Sequence, residues 1–284
     1  MTTGPIILST GSLYNFDVDS AMAFAREAGF DGLELVIDWR TETYRRKRLE
    51  TLVARHGLPI LALHSPFPSM RLQGWPRDPV ARITRAVELA EALGAQTVVV
   101  HPPGRWIRLQ GAVTTPDRTR RVSLPLPLLG PGRLGRWLTQ DLAEFQATTP
   151  VKIAVENMPC RPLGPFRLEP YHFAGAGQLS RFPYLTLDTT HVGTRGADLL
   201  GFYRAIKDKV AHVHLSNYNG REHQLPHDGA LPLAALLSEL AGDRFGGLVS
   251  LELNPVSLQA DSEERLRQNL RQSLAFCRRA LAGE

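Results

Sequence analysis

Six short apolar segments of this sequence each carry a histidine or an acid at or near their carboxyl end. These six residues are His64, His101, Glu156, Asp188, His214 and Glu252. Carboxylates that are buried together repel one another and lose hydration, so they need a compensating positive charge. Histidine with aspartate or glutamate is a common ligand set for zinc, manganese, iron or cobalt. The pattern therefore predicts a divalent-metal site, with Asp188 of the segment LTLDTTH as one ligand.

The apolar segments alternate with amphipathic helical segments along the chain, and we count eight of each. This alternation is typical of βα units in a parallel sheet, and strands that are apolar at nearly every position indicate a sheet covered on both faces. No glycine-rich phosphate loop follows the first strand, which favours a closed barrel over an open doubly wound sheet. The sequence therefore predicts an α/β fold, a (β/α)8 TIM barrel, as a single domain over residues 1–284.

The predicted elements place all six residues at the same end of the barrel. The predicted strands are 6–9, 32–37, 59–64, 97–101, 152–156, 184–188, 210–215 and 247–253. The predicted helices are 17–29, 43–56, 78–93, 135–148, 175–179, 197–206, 231–240 and 262–281. Two long loops are predicted after strands 4 and 5, at 105–132 and 159–177. Because active sites of such barrels lie at the carboxyl ends of the strands, the six residues would surround one mouth.

Each of these histidines has a structural alternative when it is taken alone. A single histidine at a strand end is more often hydrogen-bonded within the core, and we assign that role to His56, His172 and His212. His212 and His214 share one face of their strand because they are two residues apart. His214 is the preferred metal ligand of the two, since it lies nearer the strand end.

Composition and charge indicate an ordinary globular protein. The chain is 43% hydrophobic and 21% charged, with a net charge of +5. Basic runs at 45–48 and 118–121 are interpreted as solvated surface, with phosphate contact as the alternative. Cys160 and Cys277 show no disulfide or metal-pair spacing, which indicates free thiols in a reducing compartment. Neither a leader segment nor an apolar run of about 18 residues is visible, so we expect a cytoplasmic protein without a membrane segment.

The ordered motifs of the chain resemble those of a known superfamily. They are GFDGLELV, LHSPF, VVVHPPG, VENMP, LDTTH, HVHLSN and LELNP. In order and spacing they resemble the xylose isomerase-like TIM barrel superfamily, which includes sugar isomerases, sugar epimerases and apurinic endonuclease IV. The resemblance covers nearly the whole chain and is specific for the superfamily, but not for one reaction.

The epimerase branch of this superfamily implies one set of roles. A divalent metal (Zn, Mn, Co or Fe) would be held by Glu156, Asp188, His214 and Glu252. Glu156 and Glu252 would also be the catalytic acid and base, one on each side of the substrate carbon. The metal would polarise a carbonyl or hydroxyl of the substrate.

Four further residues are candidates for substrate binding. The resemblance implies that His191 holds a substrate oxygen, and Arg221 lies near a position where that branch often has a substrate-binding arginine. His223 belongs to the same segment. Glu34, near the end of strand 2, either orients a substrate hydroxyl or makes a structural hydrogen bond to neighbouring backbone. Candidates for an apolar wall against a sugar face, with core packing as the alternative, are Phe67, Trp75 and Trp106.

The endonuclease branch implies three zinc ions instead. His64 and His101 would then join the other four ligands to hold two metals. The third metal would take His191, His223 and an aspartate two residues before His223, but this chain has Arg221 at that position. A cationic arginine in place of an anionic ligand weakens the third site, where Glu222 or Asp228 is the alternative ligand. His64 and His101 are candidates for a second metal site, for contact with the substrate, or for contact with the ligands of a single metal.

Three functions are therefore open at the level of sequence. The favoured one is a metal-dependent isomerase or epimerase of a sugar, sugar phosphate or related polyol. The alternative is an endonuclease IV-like phosphoesterase acting on abasic DNA, and basic residues support it because phosphate contacts dominate nucleic-acid affinity. The third is a non-catalytic barrel that binds a small ligand or a protein. A small carbohydrate is the expected partner, nucleic acid is less favoured, and the oligomeric state is open.

Overall fold

The computed structural model describes residues 4–115, 118–128, 130–163 and 166–284, and within them only the backbone of 107–115, 118–125 and 162–163. Its strands are, in chain order, β1 (Ile6–Ser9), β2 (Gly32–Val36), β3 (Ile60–His64), β4 (Thr97–Val100), β5 (Trp106–Thr115), β6 (Arg118–Pro127), β7 (Lys152–Glu156), β8 (Arg161–Leu163), β9 (Phe166–Leu168), β10 (Tyr184–Asp188), β11 (Val210–Leu215) and β12 (Leu248–Leu251). Eight of them form a closed parallel barrel in the order β1-β12-β11-β10-β7-β4-β3-β2. The predicted (β/α)8 barrel is thus confirmed, and every predicted strand end lies within two residues of the observed one.

Helices surround the barrel. They are α1 (Val18–Ala28), α2 (Arg46–His56), α3 (Pro79–Leu93), α4 (Gly132–Gln140), α5 (Leu142–Gln146), α6 (Ala176–Leu179), α7 (Thr189–Arg195), α8 (Leu199–Ile206), α9 (Leu233–Gly242) and α10 (Glu263–Ala282). Short 3-10 turns are found at Thr10–Leu13, Thr41–Tyr44 and Lys207–Lys209. The predicted helix 135–148 is wrong as a single element, because α4 and α5 divide that segment at Asp141.

The helix α7 was not predicted, and its position matters for the site. Its sequence TTHVGTR contains β-branched residues and a glycine, which are weak helix formers. The Asp188 side chain caps it, since Asp188 Oδ1 accepts the backbone N–H of His191 at 2.9 Å. Gly196 ends it with φ at 61°, in the left-handed region that glycine adopts readily. The cap fixes the Asp188 carboxylate at the end of β10.

The two connections predicted as long loops contain antiparallel hairpins. β5 pairs with β6, from Trp106 opposite Pro127 to Thr115 opposite Arg118. β8 pairs with β9 in the second connection. The side chains of the basic run 118–121 lie outside the described residues, so the predicted surface or phosphate role of that run stays a prediction.

Backbone hydrogen bonds join the bases of these two insertions. Gly104 and Tyr171 form an antiparallel bridge. The Arg105 backbone N–H donates to the Pro170 carbonyl at 2.7 Å, and Arg105 Nε donates to the Tyr171 carbonyl at 2.9 Å. The segments before the first hairpin and after the second are therefore held together as one seam at the mouth of the barrel.

The apolar core has two unequal parts. The large cluster lies between the barrel and its helices, while a small separate cluster lies inside the barrel. The small cluster contains Ile7, Ala62 and Leu248. Ala62 is in register with Glu34, and Leu248 is in register with His212, so these polar residues share the inner face with the small cluster. Most of the apolar packing therefore lies outside the barrel, and polar residues occupy much of its interior.

The described chain has two free, buried cysteines, Cys160 and Cys277. Burial raises the pKa of both thiols. Of the helices that the structure describes, none has both the length and the apolar composition that a bilayer span requires.

Asn157 links the ends of β7 and β10. Its Oδ1 accepts the backbone N–H of Asp188 at 2.7 Å, and its Nδ2 donates to the Asp188 carbonyl at 2.9 Å. Asn157 itself is fully buried. The asparagine thus takes the place of a ladder partner where the two strands end, and holds the Asp188 backbone in position.

We expect Asn157→Ala to lower the free energy of unfolding by about 2–4 kcal/mol, because two buried backbone groups of Asp188 lose their partner. Urea denaturation of the metal-free protein measures this change. Asn219→Ala is the matched control, since Asn219 is exposed, and it should change stability by less than about 0.5 kcal/mol. Equal effects of the two substitutions would contradict the assigned role of Asn157.

Candidate functional site

The structure brings the predicted acids and histidines together at one mouth of the barrel. Four of them form a group, here called the quartet, in which the potential ligand atoms all lie within 4.8 Å of one another: Glu156, Asp188, His214 and Glu252. Three of them are buried, and Glu252 keeps 21% of its side chain exposed. The quartet is therefore a buried polar centre that is open to solvent at Glu252.

His214 lies at the centre of the quartet. Its Nδ1 is 3.1 Å from Glu156 Oε1 and 3.0 Å from Glu252 Oε2. Asp188 Oδ2 lies 3.9 Å from the same nitrogen. On the other side of the ring, Nε2 donates to Glu34, whose two oxygens are each 3.0 Å away. The His214 ring thus joins Glu34 to the Glu156 and Glu252 carboxylates, and Asp188 lies further away.

Burial and mutual repulsion set the charges of the quartet. Burial, together with the Glu156 and Glu252 carboxylates, raises the pKa of Asp188 well above its usual range. Burial opposes a charge on His214, but the Glu34 and Glu252 carboxylates outweigh burial and raise the pKa of His214 well above its usual range. Burial also opposes ionisation of Glu252, but His214 lowers the pKa of Glu252 to about 2. Without a cation, the surroundings of the quartet therefore favour protons on Asp188 and His214.

The donor set of the quartet fits a divalent cation. It offers three carboxylates and one imidazole nitrogen, a combination that zinc, manganese, iron and cobalt accept. Asp188 Oδ2 is buried, and none of the described residues donates a hydrogen bond to it. A buried acceptor without a donor is costly, and a cation among these four residues would satisfy it.

Glu34 is fully buried and does not reach the mouth. It accepts hydrogen bonds from His214 Nε2 and from His212 Nε2, the latter at 2.8 Å. Burial acts against the carboxylate, but the two histidines outweigh burial and hold the pKa of Glu34 well below its usual range. The sequence offered a substrate hydroxyl or neighbouring backbone as the partner of Glu34, and the structure instead shows two histidines. Such a carboxylate fixes the ring orientation of a metal-binding histidine.

His64 and His101 form a second group with Glu156, again with ligand atoms within 4.8 Å. His64 Nδ1 donates to the Ser65 carbonyl at 2.9 Å, and His64 Nε2 faces His101 Nε2 at 3.1 Å. His101 Nε2 lies 2.8 Å from Glu156 Oε2. Burial lowers the pKa of His101, whereas for His64 the Glu156 carboxylate outweighs burial and raises the pKa. The pair shares Glu156 with the quartet and offers a second place for a cation or a substrate oxygen.

His191 and His223 form a third group with Asp188. His191 Nδ1 donates to the Asn157 carbonyl at 2.8 Å, and burial lowers the pKa of His191 to about 4. The ring is therefore neutral at pH 7, with its Nε2 available as an acceptor or ligand. His223 has a φ of 59°, in the left-handed region, and its N–H donates to Thr190 Oγ1 at 3.2 Å. A non-glycine residue in this conformation carries strain that its surroundings must offset.

Arg221 is exposed and lines a wide cleft, here called the polar cleft, of about 760 Å³. Other polar residues that line it are Glu222, His223, Gln224, Asp228 and Asn254. His223 belongs both to the lining of this cleft and to the third histidine group, and its Nδ1 lies 3.2 Å from the Glu252 carbonyl oxygen. The polar cleft therefore leads from solvent to the edge of the quartet.

A second cleft, here called the aromatic cleft, reaches the mouth from another side and has a volume of about 320 Å³. Its apolar lining consists of Tyr14, Val36, Trp39, Phe67 and Met70. Of the predicted aromatic wall, only Phe67 lines it. Trp75 is buried with its ring 5.6 Å from that of Tyr44. Tyr14 and Trp39 were not predicted as site residues, because they lie in short connections after strands, where the sequence has no periodic pattern of apolar residues.

Comparison with known proteins places the chain among similar sequences. The family model described as xylose isomerase-like TIM barrel matches residues 22–280. Uncharacterized protein ML2432 of Mycobacterium leprae (strain TN) is 31% identical over 300 residues, an alignment that covers 95% of either chain.

Two solved structures illustrate the shared fold. The apo form of 3-keto-D-glucoside 4-epimerase YcjR from E. coli has a TM-score of 0.67 at 19% identity, and the match covers 97% of this chain and 99% of that one. D-Psicose 3-epimerase from Clostridium cellulolyticum H10, with D-tagatose, has a TM-score of 0.67 at 16% identity, covering 98% and 99%. At such identities the likeness shows the fold alone.

We expect metal uptake by the quartet to release roughly one to two protons per cation, one from Asp188 and one from His214 Nδ1, because ligands must be deprotonated. Affinity for zinc or manganese should therefore rise as pH rises and fall as these residues are protonated. Titration calorimetry in buffers of different ionisation enthalpy measures the release. Uptake without proton release between about pH 6 and 8 would contradict the assigned charges.

We expect Glu34→Ala to weaken metal affinity about 10- to 100-fold, because His214 loses the carboxylate that orients its ring. Glu34→Gln should retain more affinity, since its amide oxygen still accepts the His214 Nε2 hydrogen bond. Competition with a chromophoric chelator measures both variants, and circular dichroism checks that they fold. Affinity equal to that of the unchanged protein in both variants would show that Glu34 does not position His214.

Proposed function

The chain belongs to the xylose isomerase-like TIM barrel family, and on that premise we propose that it is a metal-dependent isomerase or epimerase. The substrate is a sugar, a sugar phosphate or a related polyol. The two solved structures compared above carry the names of sugar epimerases, which supports the reaction class. The geometry of the two glutamates supports it independently.

The observation that carries the proposal is the approach of Glu156 and Glu252 to the same nitrogen of His214. They come from the ends of β7 and β12, which are separated in the barrel by β10 and β11. Two carboxylates that converge from separate strands can address one substrate carbon from two directions. One accepts the proton next to a carbonyl, and the other delivers a proton to the opposite face, which inverts the centre.

The remaining polar residues hold the substrate. A divalent cation in the quartet would polarise a substrate carbonyl or hydroxyl. His191 is neutral and accepts a hydrogen bond from a substrate hydroxyl at Nε2. Arg221 and His223 line the polar cleft and bind oxygens of the same molecule that lie further from the reacting carbon. Burial of Glu156, Asp188 and His214 limits the access of water to the carbon that exchanges its proton.

We expect Glu156→Gln and Glu252→Gln each to lower turnover by about a hundredfold or more, because each removes a proton-transfer group. Free ketoses and sugar phosphates are screened in deuterium oxide, and NMR follows deuterium incorporation and epimer formation. Elemental analysis of each variant separates lost chemistry from lost metal, since glutamine keeps an oxygen donor.

Glu144→Gln is the matched control, because Glu144 is exposed on α5 and lines neither cleft, and its turnover should be unchanged. The proposal fails if neither glutamate variant slows an epimerisation that the unchanged protein performs. It also fails if Asp188→Ala, which removes a metal ligand, leaves such an activity intact.

A second candidate is a metal-dependent phosphoesterase acting on abasic DNA. The group formed by His64, His101 and Glu156 favours it, because these residues could hold a second cation beside the quartet. Elemental analysis distinguishes the two functions: one metal per chain favours the epimerase, and two favour the phosphoesterase. Nicking of an abasic duplex at physiological salt would then replace the epimerase proposal.

A further inference from the structure

The mouth of the barrel is divided between two clefts of opposite character. The polar cleft offers charged and amide side chains, among them Arg221, Gln224 and Asn254. The aromatic cleft offers mainly apolar surface, and it ends at His64 and Glu252. A molecule whose reacting carbon lies at Glu252 can therefore extend in two directions. The polar cleft suits hydroxyl groups, and the aromatic cleft suits apolar groups.

Three exposed aromatic side chains are gathered in the aromatic cleft. Tyr14 is 53% exposed, Trp39 is 61% exposed and Phe67 is 36% exposed. Phe67 packs its ring 4.8 Å from that of His101 and 5.5 Å from that of His64. Large apolar side chains are rarely left exposed together without a partner, and a group of them around a concave site marks a ligand-binding surface.

Few polar groups in this cleft are available to a ligand. Asp38 is the one acid on its outer part, and Arg40 engages it: Arg40 Nε donates to Asp38 Oδ2 at 2.8 Å, and the Arg40 backbone N–H donates to Oδ1 at 2.8 Å. Among the described residues that line the outer wall, the Tyr14 hydroxyl and the Trp39 indole N–H therefore remain as the polar edges. A hydroxyl-rich sugar ring placed here would lose hydration without gaining matching hydrogen bonds.

Gly11 keeps the inner end of the aromatic cleft open. A Cβ atom at this position would lie 3.3 Å from Val36 Cγ2 and 3.4 Å from Glu252 Oε1. A larger residue would therefore project between the aromatic walls and the carboxylate. The glycine leaves a continuous path from Trp39 to Glu252.

We infer that the aromatic cleft binds a planar aromatic substituent, so that the substrate is a keto sugar bearing an aryl group. The position of the reacting carbon rests on the proposed function, whereas the aryl group rests on the lining of the aromatic cleft alone. Flat rings stack favourably on tryptophan, tyrosine and phenylalanine side chains. The hydroxylated part of the molecule lies in the polar cleft, and the carbon next to the carbonyl lies between Glu156 and Glu252.

The test compares binding of phenyl β-D-glucopyranoside and methyl β-D-glucopyranoside to the purified full-length chain. Neither compound has a free carbonyl, so binding is measured without turnover. Titration calorimetry follows both compounds with the unchanged protein and with every variant. We expect the phenyl glycoside to bind at least about tenfold more tightly, because its ring adds buried apolar area and stacking.

Trp39→Ala and Phe67→Ala should each reduce this preference to about threefold or less, whereas Trp39→Phe should keep most of it. Phe166→Ala is the matched control, because Phe166 is 73% exposed and lines neither cleft, and the preference should be unchanged. A preference below about threefold in the unchanged protein, including equal failure of both compounds to bind, overturns the inference. A preference that survives both alanine substitutions overturns it as well.

The result separates this inference from the proposed function. If the aryl preference is absent but Glu156-dependent epimerisation of a free ketose is found, the reaction stands and the aryl subsite is rejected. If the preference depends on Trp39 and Phe67 but no sugar exchanges its carbon-bound proton, the subsite stands and the reaction is rejected.

Discussion

Four carboxylates share the interior of one barrel, and the arrangement of the site follows from that constraint. Glu34, Glu156 and Asp188 are almost wholly buried, and Glu252 is only partly exposed. Each buried carboxylate loses hydration worth several kcal/mol, and close neighbours add repulsion. Imidazole rings lie between the acids and relieve part of this, with His214 in contact with three of the four. Protons on Asp188 and His214 relieve more of it, and a divalent cation bound there would take their place.

A barrel can tolerate such an interior because its stability comes mostly from elsewhere. The large apolar cluster lies between the strands and the surrounding helices, whereas only a small apolar cluster lies inside. Successive side chains of β11 point alternately to the two faces of the barrel wall. Val213 belongs to the outer apolar cluster, while His212 and His214 point inward to Glu34. The polar groups of the candidate site and most of the apolar packing thus lie on opposite faces of the same strands, so a change at one face need not disturb the other.

The sequence predicted the strands and their terminal residues because both signals are local. An apolar run that ends in His64 or Asp188 can be recognised within about five residues of sequence. In a parallel barrel the carboxyl ends of all strands lie on the same side. The partners of Glu34 could not be predicted from the sequence, because its contact with His212 and His214 joins β2 to β11 across the barrel interior. The pairing depends on the stagger and curvature of the closed sheet, which no local pattern records.

The aromatic cleft was missed for a similar reason, because Tyr14 and Trp39 come from separate connections. The hairpins within the insertions were missed because their strands lack the apolar run of a barrel strand.

The seam between the two insertions makes the position of each insertion depend on the other. Because Gly104 pairs with Tyr171, and Arg105 pairs with Pro170 and Tyr171, removing one side of this seam would leave backbone groups of the other side without their partners. The bases of the two hairpins therefore form one structural unit, although more than 30 residues separate the end of the first hairpin at Pro127 from the start of the second at Arg161. An attempt to transfer the substrate range of one relative to another by exchanging loops would have to transplant both segments together. Substitutions along the two segments should accordingly be correlated among relatives, as they are at an interface between subunits.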